Sequence, residues 1–139
     1  MRCGPSVLAI AAAAASLLAG CGAAPSSSTK AATFKGEQLR VSNAVEDLQS
    51  AAAKSDETKI CRDLLARSLA GRLAARGGGC PQVVDAAIKD ADTFDLAVQS
   101  VQITGDRATA RVKSETGTKD RVTTLQLVRE RGAWRVAGF

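Results

Sequence analysis

Residues 95–113, DLAVQSVQITGDRATARVK, decide the fold class, because the spacing of apolar side chains changes there from about four positions to two. Alternation of apolar and polar residues is typical of a strand with one buried face. The phase of the alternation shifts near Gln99–Ser100, which predicts a β-bulge. Thr104-Gly105-Asp106-Arg107 is a turn signal. The segment therefore predicts two strands of a meander.

The residues that follow predict two further strands. Residues 114–120 are polar and contain a glycine, which predicts a loop. Strand three then covers about 121–130. A turn at Arg131-Gly132 leads to strand four, from Ala133 to Phe139.

Three helices are predicted before the sheet. Residues 36–54 carry apolar side chains on one helical face. Ser55-Asp56-Glu57 is a helix-start signal, and the second helix runs from it to about Arg76, where Gly77-Gly78-Gly79 ends it. Cys80-Pro81 opens the third helix. Helices followed by an antiparallel meander predict an α+β fold, with N-terminal helices packed on a curved four-stranded sheet.

The amino-acid composition excludes several classes of active site. The chain has 139 residues, which predicts one folded domain, and it contains no histidine and no tyrosine. Without histidine, the serine and cysteine triads, His-ligated zinc and facial-triad iron are excluded. We therefore expect no cofactor, no metal and no enzymatic activity.

The start of the chain predicts export. Ser6 to Gly20 is uncharged for 15 residues, shorter than the roughly 20 that span a bilayer, and it follows Arg2 as a signal-peptide core would. The run ends Leu18-Ala19-Gly20-Cys21. These four positions resemble the cleavage motif of bacterial lipoproteins. The resemblance implies that residues 1–20 are a leader and that Cys21 carries the lipid. Plain secretion with a free Cys21 and a stray apolar stretch are the alternatives.

Lipidation would set the location and the domain boundaries. Residues 21–35 are small and polar, which predicts a flexible tether with a reach of roughly 20 Å over 12 residues. Residues 36–139 form the domain. We expect the protein on the extracytoplasmic face of the cell membrane, held there by its lipid anchor.

The chain has four cysteines, of which Cys3 lies in the predicted leader and Cys21 would carry the lipid. The other two, Cys61 and Cys80, lie in the domain with 18 residues between them. An even number of thiols in an oxidising compartment predicts a disulfide, which would contribute about 3 kcal/mol. A redox pair and a metal site are the alternative interpretations. A redox pair usually has two residues between its cysteines, and a metal site needs ligands beyond two thiolates.

The order of elements resembles the nuclear-transport-factor-2-like (cystatin-like cone) superfamily. The similarity covers residues 36–139 and includes Trp134-Arg135-Val136 in the closing hairpin and the cysteine pair, which resembles exported lipoproteins of this fold. The resemblance implies a cone whose pocket binds small molecules, although some members are isomerases or hydratases. The pocket residues would then be Leu96, Val98, Leu125, Leu127 and Trp134, with core packing as the alternative for Trp134.

Isomerases of this superfamily use an aspartate base, as the ketosteroid isomerase example shows. The candidate acids in this chain are Asp85, Asp90, Asp92 and Asp95, and the alternative for all four is a solvated carboxylate at a helix end.

The excess positive charge lies entirely in the strand region. Residues 21–105 hold ten basic and ten acidic side chains, whereas residues 106–139 hold eight basic and four acidic ones. This pattern predicts an anion-binding surface for lipid or wall polymer, or an ordinary solvated sheet face. Nucleic acid is not expected, because aromatic residues do not alternate with the basic ones. The candidate cations are Arg107, Arg111, Lys113, Arg121, Arg129, Arg131 and Arg135.

Three functions remain open. The first is a membrane-anchored binding or interaction module that holds an apolar small molecule or lipid, or docks an envelope protein. The second is an isomerase- or hydratase-like enzyme that uses a buried aspartate. The third is a structural envelope protein that binds anionic lipid or wall polymer.

Overall fold

The computed structural model describes residues 33–91, 95–116 and 119–139. The helical part comprises α1 Glu37–Ala53, α2 Glu57–Lys59, a π-helical turn Ile60–Leu64, α3 Arg67–Ala74 and α4 Cys80–Asp90. The strands are β1 Leu96–Thr104, β2 Arg107–Thr116, β3 Lys119–Glu130 and β4 Ala133–Gly138. The predicted α+β class is confirmed. The predicted leader, Cys21 and Asp92 lie outside the described residues, as does all of the predicted tether except its last three residues.

The four strands form one antiparallel sheet in the order β1-β2-β3-β4. The register between β1 and β2 shifts between Val98 and Ser100, which confirms the predicted bulge. In β2 the small side chains of Ala108 and Ala110 are buried. They let the helices approach that face of the sheet closely.

The hairpin between β2 and β3 is tighter than predicted. Glu115 pairs with Asp120 and Thr116 pairs with Lys119, so the strands continue through most of residues 114–120. The prediction of an irregular loop over that whole stretch is wrong. Polar side chains do not prevent pairing, because the ladder bonds are made by the backbone of strands that are already aligned.

The second predicted helix is interrupted, and its prediction as one continuous helix is wrong. Leu65 and Ala66 are extended, with ψ of 145° and 146°. The Ala66 N–H donates to the Val136 carbonyl over 2.7 Å, and Leu65 forms a parallel bridge with Val136. The open edge of β4 offers unpaired backbone groups, and this short segment satisfies one of them.

A single apolar core lies between the helices and the inner face of the sheet. Its most deeply buried large side chains are those of Val41, Val45, Val112, Leu127 and Val136. Among the described residues, all buried members of this core lie between positions 41 and 136. We therefore expect a fragment that begins near residue 30 to fold without the preceding segment.

The predicted disulfide is confirmed. Cys61 in the π-helical turn is bonded to Cys80 at the start of α4, with their Cα atoms 6.1 Å apart. The bond joins two helical segments that are separated in the chain by α3 and the glycine turn.

Candidate functional site

An apolar cavity of about 260 Å³ opens on the helical side of the domain. Parts of α1, the π-helical turn, α3 and α4 form its walls, together with the segment that follows β4. The lining residues are Leu48, Ala52, Ile60, Leu65, Leu73, Arg76, Val83, Val84, Ala87, Ile88 and Phe139.

Helical periodicity places these side chains around the cavity. In α4, Val83, Val84, Ala87 and Ile88 recur at the spacing of one helical face. Ala87 stands where a larger side chain would project into the cavity, which leaves space between the larger aliphatic groups. The empty volume therefore follows from a small residue on an otherwise bulky helix face.

The floor of the cavity is part of the core and is cross-linked to one of the walls. Ile60 and Leu65 are buried and belong to the core. The Cys61–Cys80 disulfide fastens the segment that carries Ile60 to the helix that carries Val84. Two walls of the cavity are thus covalently joined.

The rim combines an aromatic and a cationic side chain. Phe139 is 75% exposed although it borders the cavity. The Arg72 guanidinium donates to the Ala137 carbonyl over 3.0 Å, which holds this end of β4 against α3. Arg76, just beyond the end of α3, is the one charged side chain among the described residues that line the cavity.

The pocket residues proposed from the sequence lie elsewhere. Leu125, Leu127 and Trp134 are buried core residues, and Leu96 and Val98 are partly buried against the same core. None of these five lines the helical cavity. Trp134 borders a shallow surface depression beside the N-terminal half of α1.

Trp134 takes part in a polar cluster that joins α1 to the sheet. Its indole N–H donates to Glu37 Oε2 over 3.0 Å, and Arg129 Nη2 lies 2.6 Å from the same oxygen. The Arg129 guanidinium stacks 4.8 Å from the Trp134 ring centroid, and Arg40 pairs with the other Glu37 oxygen. These contacts give Trp134 a structural role.

The cations of β2 share the outer face of the sheet. Arg107, Arg111 and Lys113 alternate with the buried residues of the strand, so they point away from the helices. Arg107 and Arg111 are exposed, and Lys113 pairs with Asp120 over 2.8 Å.

The other candidate cations are not part of that row. Arg129 contacts Glu37, and Arg135 Nη1 donates to the Arg62 carbonyl over 2.8 Å. Arg131 is exposed in the β3–β4 turn. The structure therefore brings together Arg107, Arg111 and Lys113, and it holds Arg129 and Arg135 against the helical layer.

A groove of about 350 Å³ crosses the same outer face. Its side chains come from the cross-strand rows Gln102–Thr109–Gln126 and Thr104–Arg107–Val128, together with Ala108, Leu127 and Ala137. It carries more hydrogen-bonding groups than the helical cavity, so an apolar ligand loses more by entering it.

None of the candidate aspartates that the structure describes is buried. Asp90 and Asp95 are exposed, and Asp95 accepts a hydrogen bond from Gln49. Asp85 pairs with Lys89 over 2.7 Å, and hydrogen bonding to this carboxylate raises the pKa of Lys89. The isomerase hypothesis requires a buried carboxylate, and none of these three is buried.

The described ranges contain no group of three or more histidine, cysteine or acidic residues arranged to hold a metal ion. In the same part of the chain, no helix is both long and apolar enough to cross a bilayer.

The domain is similar to the solved structure "De novo designed NTF2 fold protein NT-9", with a TM-score of 0.54 and 13% sequence identity. The alignment covers 76% of this chain and 86% of that chain. The chain therefore has an NTF2-like fold, as the order of elements implied. At this identity the likeness shows the fold alone, because one fold supports many functions. No family model matches the chain, and no curated protein matches it significantly.

Proposed function

We propose that the chain is a membrane-anchored extracytoplasmic binding module that holds an apolar small molecule, or one acyl segment of a lipid, in the helical cavity. The observation that carries this proposal is the lining of the cavity, whose described residues are apolar except for Arg76. Concave apolar sites with few polar groups are typical of small-molecule pockets.

The size of the cavity sets the size of the ligand. At roughly 30 Å³ per water-sized group, 260 Å³ accommodates roughly nine such groups. That volume corresponds to one acyl segment of about nine carbons. Burying nine methylenes would contribute about 7 kcal/mol before association costs, less than the roughly 8 kcal/mol of a 1 µM complex. We therefore expect dissociation constants above about 1 µM.

The anchor belongs to the same proposal. The motif Leu18-Ala19-Gly20-Cys21 supports lipidation of Cys21. Two acyl chains on one cysteine give stable membrane attachment, where one chain would bind only marginally. With a tether that reaches roughly 20 Å, the domain would sample the membrane surface, where molecules with acyl chains are concentrated.

Calorimetric titration of residues 30–139 with 1-decanol tests the cavity. We expect saturable binding to the unmodified domain and none to Ala87→Trp, because the indole occupies the space beside Val84 and Ile88. The matched control is Ala86→Trp, an exposed position of the same helix that does not line the cavity. Equal binding by both variants, or no binding by the unmodified domain, would contradict the proposal.

A second candidate function is attachment to anionic lipid or wall polymer through the outer sheet face. The observation in its favour is the pair of exposed guanidinium groups, Arg107 and Arg111, on one strand. Sedimentation with vesicles of anionic lipid should then decrease in Arg107→Gln/Arg111→Gln and weaken steeply with salt. Binding that is insensitive to both changes would exclude this function.

A further inference from the structure

The rim of the cavity carries a cation that no described residue neutralises. Arg76 is exposed, and its guanidinium makes no hydrogen bond or ion pair with the described part of the chain. Its backbone N–H is bonded to Leu73, which fixes the residue at the end of α3. A positive charge therefore lies at the edge of an otherwise apolar cavity.

Three other cations of the helical layer, Arg62, Arg72 and Lys89, are engaged in other contacts. Arg62 pairs with Asp63 over 2.9 Å, and Lys89 pairs with Asp85 over 2.7 Å. Arg72 donates to the Ala137 carbonyl. Within the described lining of the cavity, Arg76 is the one side chain that offers a charge to a ligand.

We infer that the ligand is an anionic amphiphile with one acyl chain, whose chain fills the cavity while its carboxylate or phosphate head lies against Arg76. This inference rests on the proposed function and specifies its ligand class. A guanidinium presents a planar set of donors that matches both head groups. The Phe139 ring beside the rim would cover the part of the chain nearest the head.

The Arg76 guanidinium is the feature of the rim that favours an anionic head over a neutral or cationic one. The last carbonyl groups of α3 carry partial negative charge near the rim, which opposes an anion and must be offset by the arginine. Removing the guanidinium should therefore eliminate the preference for anions.

Titration of residues 30–139 with decanoate, decyl phosphate and 1-decanol tests the inference. At low salt and neutral pH, we expect both anions to bind roughly fivefold more tightly than the alcohol, the upper range for a solvent-exposed ion pair. Arg76→Gln should lose this preference, and Arg76→Lys should retain most of it. Arg67→Gln removes the same charge from an exposed position of α3 outside the cavity, and it should behave as the unmodified domain.

The outcomes separate this inference from the proposed function. If decanol binds as tightly as both anions, or if Arg76→Gln keeps the preference, the inference fails and the apolar cavity remains. If none of the three compounds binds, the proposed function itself fails. Higher salt should reduce the difference in affinity between the anions and the alcohol. A difference in affinity that does not depend on salt would also contradict a role for Arg76.

Discussion

At the scale of single residues, Glu37 connects the helical layer to the sheet. One carboxylate oxygen accepts from both Arg129 and Trp134, and the other pairs with Arg40. Arg129 and Trp134 lie 92 and 97 positions from Glu37 along the chain. The sequence indicates only an acidic residue in the first turn of a helix, since nothing in the local pattern shows a partner so distant.

Glu37→Ala should destabilise the domain by about 1–2 kcal/mol, because it removes the shared acceptor of two donors that stay partly buried. Urea denaturation measures the effect. The control is Glu46→Ala, an exposed position of the same helix, which should change stability by less than about 0.5 kcal/mol. Equal losses in the two variants would show that the cluster contributes nothing.

The cysteine pair, in contrast, could be predicted from residue type and number alone. Replacing both Cys61 and Cys80 with alanine should lower the free energy of unfolding by about 3 kcal/mol. Reduction of the unmodified domain should give a similar loss in the same denaturation assay. A loss below about 1 kcal/mol by either route would mean that the bond does not restrain the unfolded chain as the loop model requires.

At the scale of elements, patterns of spacing predicted the bulge and the turns but not the break in the second helix. The shift in alternation near Gln99–Ser100 directly reflects an extra residue in one strand. Ala66, however, leaves the helix to pair with Val136, a residue 70 positions away. The apolar spacing there is compatible with a continuous helix. The helix is nevertheless interrupted, because the open edge of β4 pairs with the extended segment.

In the β3–β4 turn, we predict that one substitution stabilises the domain and another destabilises it. Arg131 and Gly132 both have positive φ, 53° and 80°, as a type I′ hairpin requires. Arg131→Asn should stabilise the domain by about 0.5–1 kcal/mol, because asparagine tolerates this conformation better. Gly132→Ala should destabilise it by about 1–2 kcal/mol. Thermal unfolding of both variants checks the signs, and two shifts of the same sign would contradict this assignment of the turn.

At the scale of the whole molecule, the fold could be predicted and the cavity could not. The order of helices and strands sufficed for the NTF2-like architecture. Core and cavity walls consist of the same aliphatic residue types, however, so Leu125 and Leu127 could not be distinguished by type from Leu48 and Val83. The position of the cavity depends on where small residues of different helices, such as Ala52 and Ala87, face the same space. A local sequence pattern does not contain that information.

Attachment to the membrane is the prediction that concerns the complete chain. When the full sequence is expressed in a bacterial host, we expect the unmodified protein to enter the detergent phase of a phase-separation assay. Its mass should correspond to a chain that begins at a lipidated Cys21. Cys21→Ala should lack the lipid and remain uncleaved by the lipoprotein pathway. A mature protein of unmodified mass in the aqueous phase would contradict lipidation, while the cavity would be unaffected.

The cavity between the helices and Phe139 should bind one acyl chain. The most direct measurement is an NMR titration of isotope-labelled residues 30–139 with decanoate. We predict that the largest shift changes occur around Leu48, Ala52, Val83, Val84 and Ile88 and saturate at a single site. Changes centred instead on Gln102, Thr109 and Gln126 of the outer groove, or no saturable changes, would contradict the claim.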